Sequence, residues 1–112
     1  MRRGTTPTIS ITVKGLSDIQ INKAYLTLKQ RGTVVEKTEA DMEIDGDMLQ
    51  VALTQEETLK FMARAEINVQ LRVLSTNNTA YASNIVTVPV EAILKEGVIP
   101  DGGTENPEPD SN

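Results

Sequence analysis

Asp41, Glu43, Asp45, Gly46 and Asp47 place oxygen-bearing side chains at the spacing with which a calcium loop begins: a carboxylate at every second position and a glycine where the chain must turn sharply. The pattern then breaks. The twelfth position of such a loop needs a bidentate carboxylate, and here it is Ala52, preceded by Leu49-Gln50-Val51, which reads as strand. The acids are expected to flank a hairpin turn at Asp45-Gly46-Asp47, a weak divalent-ion site being the alternative. Glu56 and Glu57 offer neighbouring carboxylates for acid–base work, but adjacent residues of a helix do not face each other. Ser10, Ser17, Ser75 and Ser83 have no histidine to activate them, because the chain contains none, and no lysine follows at a Ser-x-x-Lys spacing. Asn77-Asn78-Thr79 has the form of a glycosylation sequon and is expected to serve as a polar turn. Arg2-Arg3 could meet an acidic partner; two charges near a chain end are more often solvated.

No residue is therefore assigned as catalytic, cofactor-binding or metal-ligating, and no enzymatic activity is expected. With His and Cys both absent, the commonest general base, the commonest zinc ligand, thiolate chemistry and disulfides are all missing. The absence of Cys also fits a reducing compartment. Of the formal net charge of −5, four negative charges lie at Asp101, Glu105, Glu108 and Asp110, which leaves 12 acids against 11 bases before them. A nearly neutral body argues against a nucleic-acid partner. Tyr25, Phe61 and Tyr81 are the only aromatics, too few for a base- or sugar-stacking platform. Met1-Arg2-Arg3 leads into Gly, Thr and Pro instead of an apolar stretch, so neither a signal peptide nor a membrane span is expected, and synthesis in the cytoplasm is.

The elements that would position these residues are strands. Thr8 to Val13 alternates strictly, with Ile9, Ile11 and Val13 on one face, and Ala24 to Lys29 repeats the pattern with Leu26 and Leu28 inward. Arg31-Gly32 reads as a tight turn into Thr33 to Thr38, where Glu36, Lys37 and Glu39 suggest an exposed edge. Met42 to Ile44 and Met48 to Val51 flank the Asp-Gly hairpin. Thr54-Gln55-Glu56-Glu57 matches a capping box, so a short helix is expected from Gln55 to about Phe61, pinned by Leu59 or Phe61. Ala65, Ile67, Val69, Leu71 and Val73 form the longest inward face and predict a central strand. Ala80 to Val90 is expected to return as the last strand, with Ile85-Val86 breaking the alternation and Pro89 limiting the ladder near its end, and residues 91–96 as one helical turn.

About seven short strands joined by Gly, Asn and Asp turns, with one short helical turn, predict an all-β, immunoglobulin-like antiparallel β-sandwich. The Cys pair and core Trp of antibody domains are absent. The domain is expected over residues 1–97, with Met1 to Pro7 as a polar, extended arm able to reach a neighbour. Residues 98–112 are expected as a disordered acidic tail rich in Pro and Gly.

Met-Arg-Arg-Gly-Thr-Thr-Pro-Thr at the start, Tyr25-Leu26-Thr27-Leu28-Lys29-Gln30, Leu53-Thr54-Gln55-Glu56-Glu57-Thr58, Val69-Gln70-Leu71-Arg72-Val73 and Ala82-Ser83-Asn84-Ile85-Val86 follow in order. Together they resemble small prophage-associated proteins of Gram-positive bacteria over roughly residues 1–99. More loosely, the chain is similar to the immunoglobulin-like N-terminal module of phage upper baseplate proteins, without their stalk or receptor-binding domain. The resemblance implies a structural role in a phage tail or baseplate, with other tail or baseplate proteins or further copies of the chain as partners, and a place in the virion after synthesis. The alternative is a free-standing binding domain that takes a peptide or small ligand on a strand edge.

Overall fold

The opening alternation folds as β1 (Thr8–Thr12), and the second as β2 (Ile21–Gln30) after a turn of 3-10 helix at Leu16–Asp18. They are followed by β3 (Thr33–Thr38), β4 (Met42–Asp45), β5 (Met48–Ala52), α1 (Gln55–Leu59), β6 (Glu66–Ser75), β7 (Ala80–Ala82) and β8 (Val86–Pro89). This is a computed structural model and describes residues 1–100. The strands form two antiparallel sheets: β1-β5-β4, and β3-β2-β6 with β7 and β8 sharing the far side of β6. In the immunoglobulin scheme β1, β5 and β4 take the places of B, E and D. β3, β2 and β6 take C′, C and F, and β7 with β8 takes G.

Strict alternation puts one row of each strand between the sheets. Ala24, Leu26 and Leu28 of β2 and Ile67, Val69, Leu71 and Val73 of β6 are buried, and they meet Ile11, Leu49 and Val51 of the smaller sheet. Burying each Leu, Ile or Val side chain contributes about 1.5–3 kcal/mol, so this aliphatic set can offset chain entropy without aromatic stacking. β6 is the central strand, bonded to β2 on one side and to β7 and β8 on the other. The Asp-Gly hairpin forms as expected, with Asp45 opposite Met48 and Gly46 at a φ of 61° that an L side chain adopts only under strain.

The capping box also forms. Thr54 Oγ1 accepts from the Glu57 amide at 3.1 Å, and the Glu57 carboxylate accepts from the Thr54 amide at 2.9 Å. Phe61, fully buried, is the side chain that pins the helix. A second amide clamp holds the chain that leaves it: Gln30, buried at the end of β2, donates to the Met62 carbonyl at 3.0 Å and accepts from the Met62 amide at 2.7 Å.

Four expectations need correcting. The return strand, whose alternation is expected to fail at Ile85-Val86, is two strands and not one: the Ser83 hydroxyl accepts from the Leu71 amide at 3.0 Å in place of a ladder carbonyl, and Ser83 to Ile85 separate β7 from β8. Residues 91–96 bend without forming a helix. Lys37 is not on the solvated side of the β3 edge; it is buried and pairs with Glu57 at 2.8 Å. The N-terminal arm is not free. Its first residues run parallel to residues 89–91, through Glu91 amide to Met1 carbonyl at 2.7 Å and Arg3 amide to Glu91 carbonyl at 3.0 Å. Gly4 then passes so close to Ile93 that a Cβ would stand 2.9 Å from its Cδ1. Of the segment expected as a tail, Ile99 is held by Gln55 through two hydrogen bonds of 2.7 and 3.2 Å, and residues 101–112 lie outside the described residues.

Lys37 ties β3 to α1 through Glu57, and this makes stability depend on pH. Burial pushes the Glu57 carboxyl up, but the hydrogen bond from Lys37, the Thr54 amide and the Lys37 charge outweigh it and hold it below the ordinary carboxylate value. A depressed folded pKa means the ionised form is the one stabilised by folding. Its contribution is complete above the unfolded carboxylate value of 4.5 and is lost as pH falls through the lower folded value. Lys37→Met is expected to lower stability at neutral pH by less than the ~3–5 kcal/mol seen when one partner of a fully buried pair is removed. It should also flatten the acid limb. Urea titrations of both proteins between pH 3 and 7 check this; parallel acid limbs would mean that the pair contributes nothing.

Candidate interaction surface

The acids that imitate a calcium loop have other employment. Asp47 accepts from the Ser17 amide at 2.8 Å and the Gly15 amide at 3.4 Å, closing the turn after β1. These amides, with the Ser17 hydroxyl, hold the Asp47 carboxyl below its ordinary value. Asp41 accepts from the Thr38 amide at 3.0 Å at the start of the turn before β4. Glu39 accepts from the Ala24 amide at 3.0 Å, beside the register shift at the start of β2, and that bond chiefly lowers its pKa. Glu43 and Asp45 are left exposed and unpaired among the described residues. No group of three or more acids, His or Cys converges there to hold a metal.

Of the remaining chemical candidates, Glu57 is engaged by Lys37 and Thr54, Glu56 is exposed beside it, and the four serines stand apart on different turns and strands. Asn77 braces its own turn, with its side-chain carbonyl taking the Ser75 hydroxyl and, at 3.3 Å, the Thr79 amide. The structure brings none of these residues together into a reaction centre among the described residues.

What it does bring together is the outward row of the five-stranded sheet. β2 turns Lys23, Tyr25, Thr27 and Lys29 outward, and β6 answers with Leu74, Arg72, Gln70 and Asn68, Tyr25 lying opposite Arg72. On the next strand the outward positions are Ala80 and Ala82. Small side chains on β7 beside large ones on β2 and β6 leave a depression of about 220 Å³, lined by Lys23, Tyr25, Arg72, Val73, Leu74 and Ala80. A second of about 210 Å³ follows along the sheet between Thr27, Lys29, Asn68, Gln70 and Ile85.

The electrostatics of this face follow from the same alternation. Neither Lys23, Lys29 nor Arg72 makes an ion pair or side-chain hydrogen bond with any described residue, although the Lys23 charge reaches Glu39. Tyr25 is 41% exposed in their midst and Ile85 is 60% exposed beyond them. The outer face of the smaller sheet is of different character: Thr8, Ser10, Thr12 and Gln50 with the acids Glu43 and Asp45 of edge strand β4. Sequence reasoning passed over Tyr25 and Arg72 because it used the alternating rows to find the core. The outward row of the same two strands was the available signal, lacking only the pairing register that sets Tyr25 against Arg72.

No helix among the described residues is long and apolar enough to cross a membrane. No family model, curated protein or solved structure matches the chain.

Proposed function

We propose that this chain is a protein–protein assembly module whose working surface is the outer face of the five-stranded sheet, and that it serves in a phage or prophage tail or baseplate. The observation that carries the first part is the exposed Tyr25 between the unpaired cations Lys23 and Arg72 on a two-layered scaffold, with Lys29 farther along β2 and Glu36 of β3 between the two. A half-exposed aromatic flanked by cations is the composition of an interface anchor, since Tyr buries much apolar area at low entropic cost and Arg pairs with carboxylates in a fixed geometry. The tail assignment rests on the resemblance of the ordered sequence segments. Its partners would be other tail or baseplate proteins or further copies of the chain, with neither nucleic acid nor membrane involved, and it would act without turnover of a substrate.

The depression beside Tyr25 also favours a second reading, a free-standing domain that binds a peptide or small ligand. Capture of the tagged protein from extracts of an induced lysogen carrying its gene separates the two. Tail components should co-purify with the wild type and be lost with Tyr25→Glu, which leaves the core untouched. If the protein is absent from purified virions and a deletion strain yields fully infectious particles, the tail reading is wrong and the binding-domain reading takes its place.

A further inference from the structure

Resting on the assembly reading, we propose that the tip of the β4–β5 hairpin of one copy docks into the depression beside Tyr25 on the next, joining copies head to tail. The two surfaces are complementary in charge and in polarity. The hairpin tip reads Glu43-Ile44-Asp45-Gly46-Asp47-Met48 and presents two unpaired carboxylates, Glu43 and Asp45, on the same face as the apolar Met48, 41% exposed, while Ile44, 39% exposed, sits between them on the other face, opposite Leu49. The depression presents the reverse: an apolar floor of Tyr25, Leu74 and Ala80 with the unpaired cations Lys23 and Arg72 on its rim. Each half thus lacks on its own protomer what the other supplies.

Position makes the contact intermolecular. The hairpin belongs to the smaller sheet and lies on its free edge, where β4 bonds only to β5, whereas the depression is on the outer face of the other sheet, turned away from the sandwich interior. A protomer cannot therefore fill its own site. Because the docking patch and the docked element are different parts of the surface, the contact is heterologous, and it closes into a ring or continues as a filament according to the rotation between successive copies. Exposed ion pairs with a small apolar insertion give a weak contact in isolation, screened by salt and multiplied when many copies are arrayed.

Sedimentation velocity of the full chain at about 0.05 M and about 0.5 M salt tests this, salt being the screen that separates ion pairing from apolar adhesion. The wild type should self-associate with increasing concentration at low salt, and association should weaken at least tenfold at high salt. Two neutralised variants carry the decision: Lys23→Gln with Arg72→Gln, and Glu43→Gln with Asp45→Asn. All four positions are solvent-exposed, so melting temperatures should match the wild type and exclude misfolding. Each variant alone should stay monomeric at low salt, since one half of every contact is missing. An equimolar mixture should give heterodimers and stop there, because one variant retains the hairpin and the other the depression. A wild type that stays monomeric at low salt overturns the proposal, as does a hairpin variant that still associates while the depression variant does not, which would assign the cations to another acidic partner. A monomeric wild type that still captures tail components sinks the hairpin contact alone; salt-sensitive association without tail capture sinks the tail reading alone.

Discussion

Leu71→Asp and Val69→Asp are expected to leave the domain unfolded at 25 °C, while Gln70→Asp, between them, leaves it folded and only modestly weakened. Leu71 and Val69 are fully buried and lie opposite Leu26 and Leu28 on β2, facing Leu49 and Val51 across the sandwich. A carboxylate placed there loses its hydration without a cation or donor to replace it. The cost is several kcal/mol even if the group takes up a proton, and the aliphatic packing is lost as well. A domain of this size has roughly 5–15 kcal/mol of stability in total. Gln70 points the other way. It loses one hydrogen bond, from its amide nitrogen to the Ser83 carbonyl at 2.9 Å, worth about 1 kcal/mol. Far-UV circular dichroism with urea titration of the three variants decides the matter. Equal behaviour of Gln70→Asp and Leu71→Asp would mean that β6 is one residue out of register with the two sheets.

That register was legible in the sequence because β6 is buried on one face only. Each slip by one residue would exchange Ile67, Val69, Leu71 and Val73 for Glu66, Asn68, Gln70 and Arg72, so the pattern allows a single answer. The Asp-Gly turn and the Thr54–Glu57 capping box were legible for a related reason: each is a local motif whose donor and acceptor lie within a few residues. Lys37 was not. Its burial depends on Glu57, twenty residues away, arriving above β3 by way of a helix whose position no local pattern specifies. The return strand was half legible: Ile85-Val86 showed the loss of alternation, but a serine hydroxyl replaces a ladder carbonyl only where tertiary placement brings it beside the Leu71 amide. The candidate surface lies between these cases. The outward row was readable residue by residue, but the depression exists only because Ala80 and Ala82 pair with Leu74 and Arg72, and pairing partners across a sheet are not written in either strand alone.

The same limit hid the role of Arg3, and Arg3→Ala is expected to cost about 2–4 kcal/mol, an unusually large loss for a residue in a charged pair near a chain end. Its guanidinium donates to the Phe61 carbonyl at 2.6 Å and the Leu59 carbonyl at 3.1 Å, both at the end of α1 where carbonyls lack helical donors, and to both oxygens of Glu96 at 2.7 Å. The side chain is 18% exposed, so water can replace few of these bonds once the group is removed. Alanine would leave the carbonyls of Leu59 and Phe61 under-satisfied and release residues 91–96, whose hold on the body passes largely through Arg3 and the short parallel ladder from Met1 to Glu91. Arg2 supplies the control. It is exposed and makes a single side-chain bond, to the Ala92 carbonyl at 2.6 Å, so Arg2→Ala should cost about 1 kcal/mol or less. Glu96→Gln should fall between them, because it weakens the ion pair and keeps both carbonyl bonds. Urea midpoints rank the three variants, and limited proteolysis should show earlier cleavage between residues 91 and 100 in Arg3→Ala alone. If Arg3→Ala and Arg2→Ala prove equally mild, the arm is not fastened by these contacts, and the expectation of an extended segment available to a neighbouring molecule regains its force.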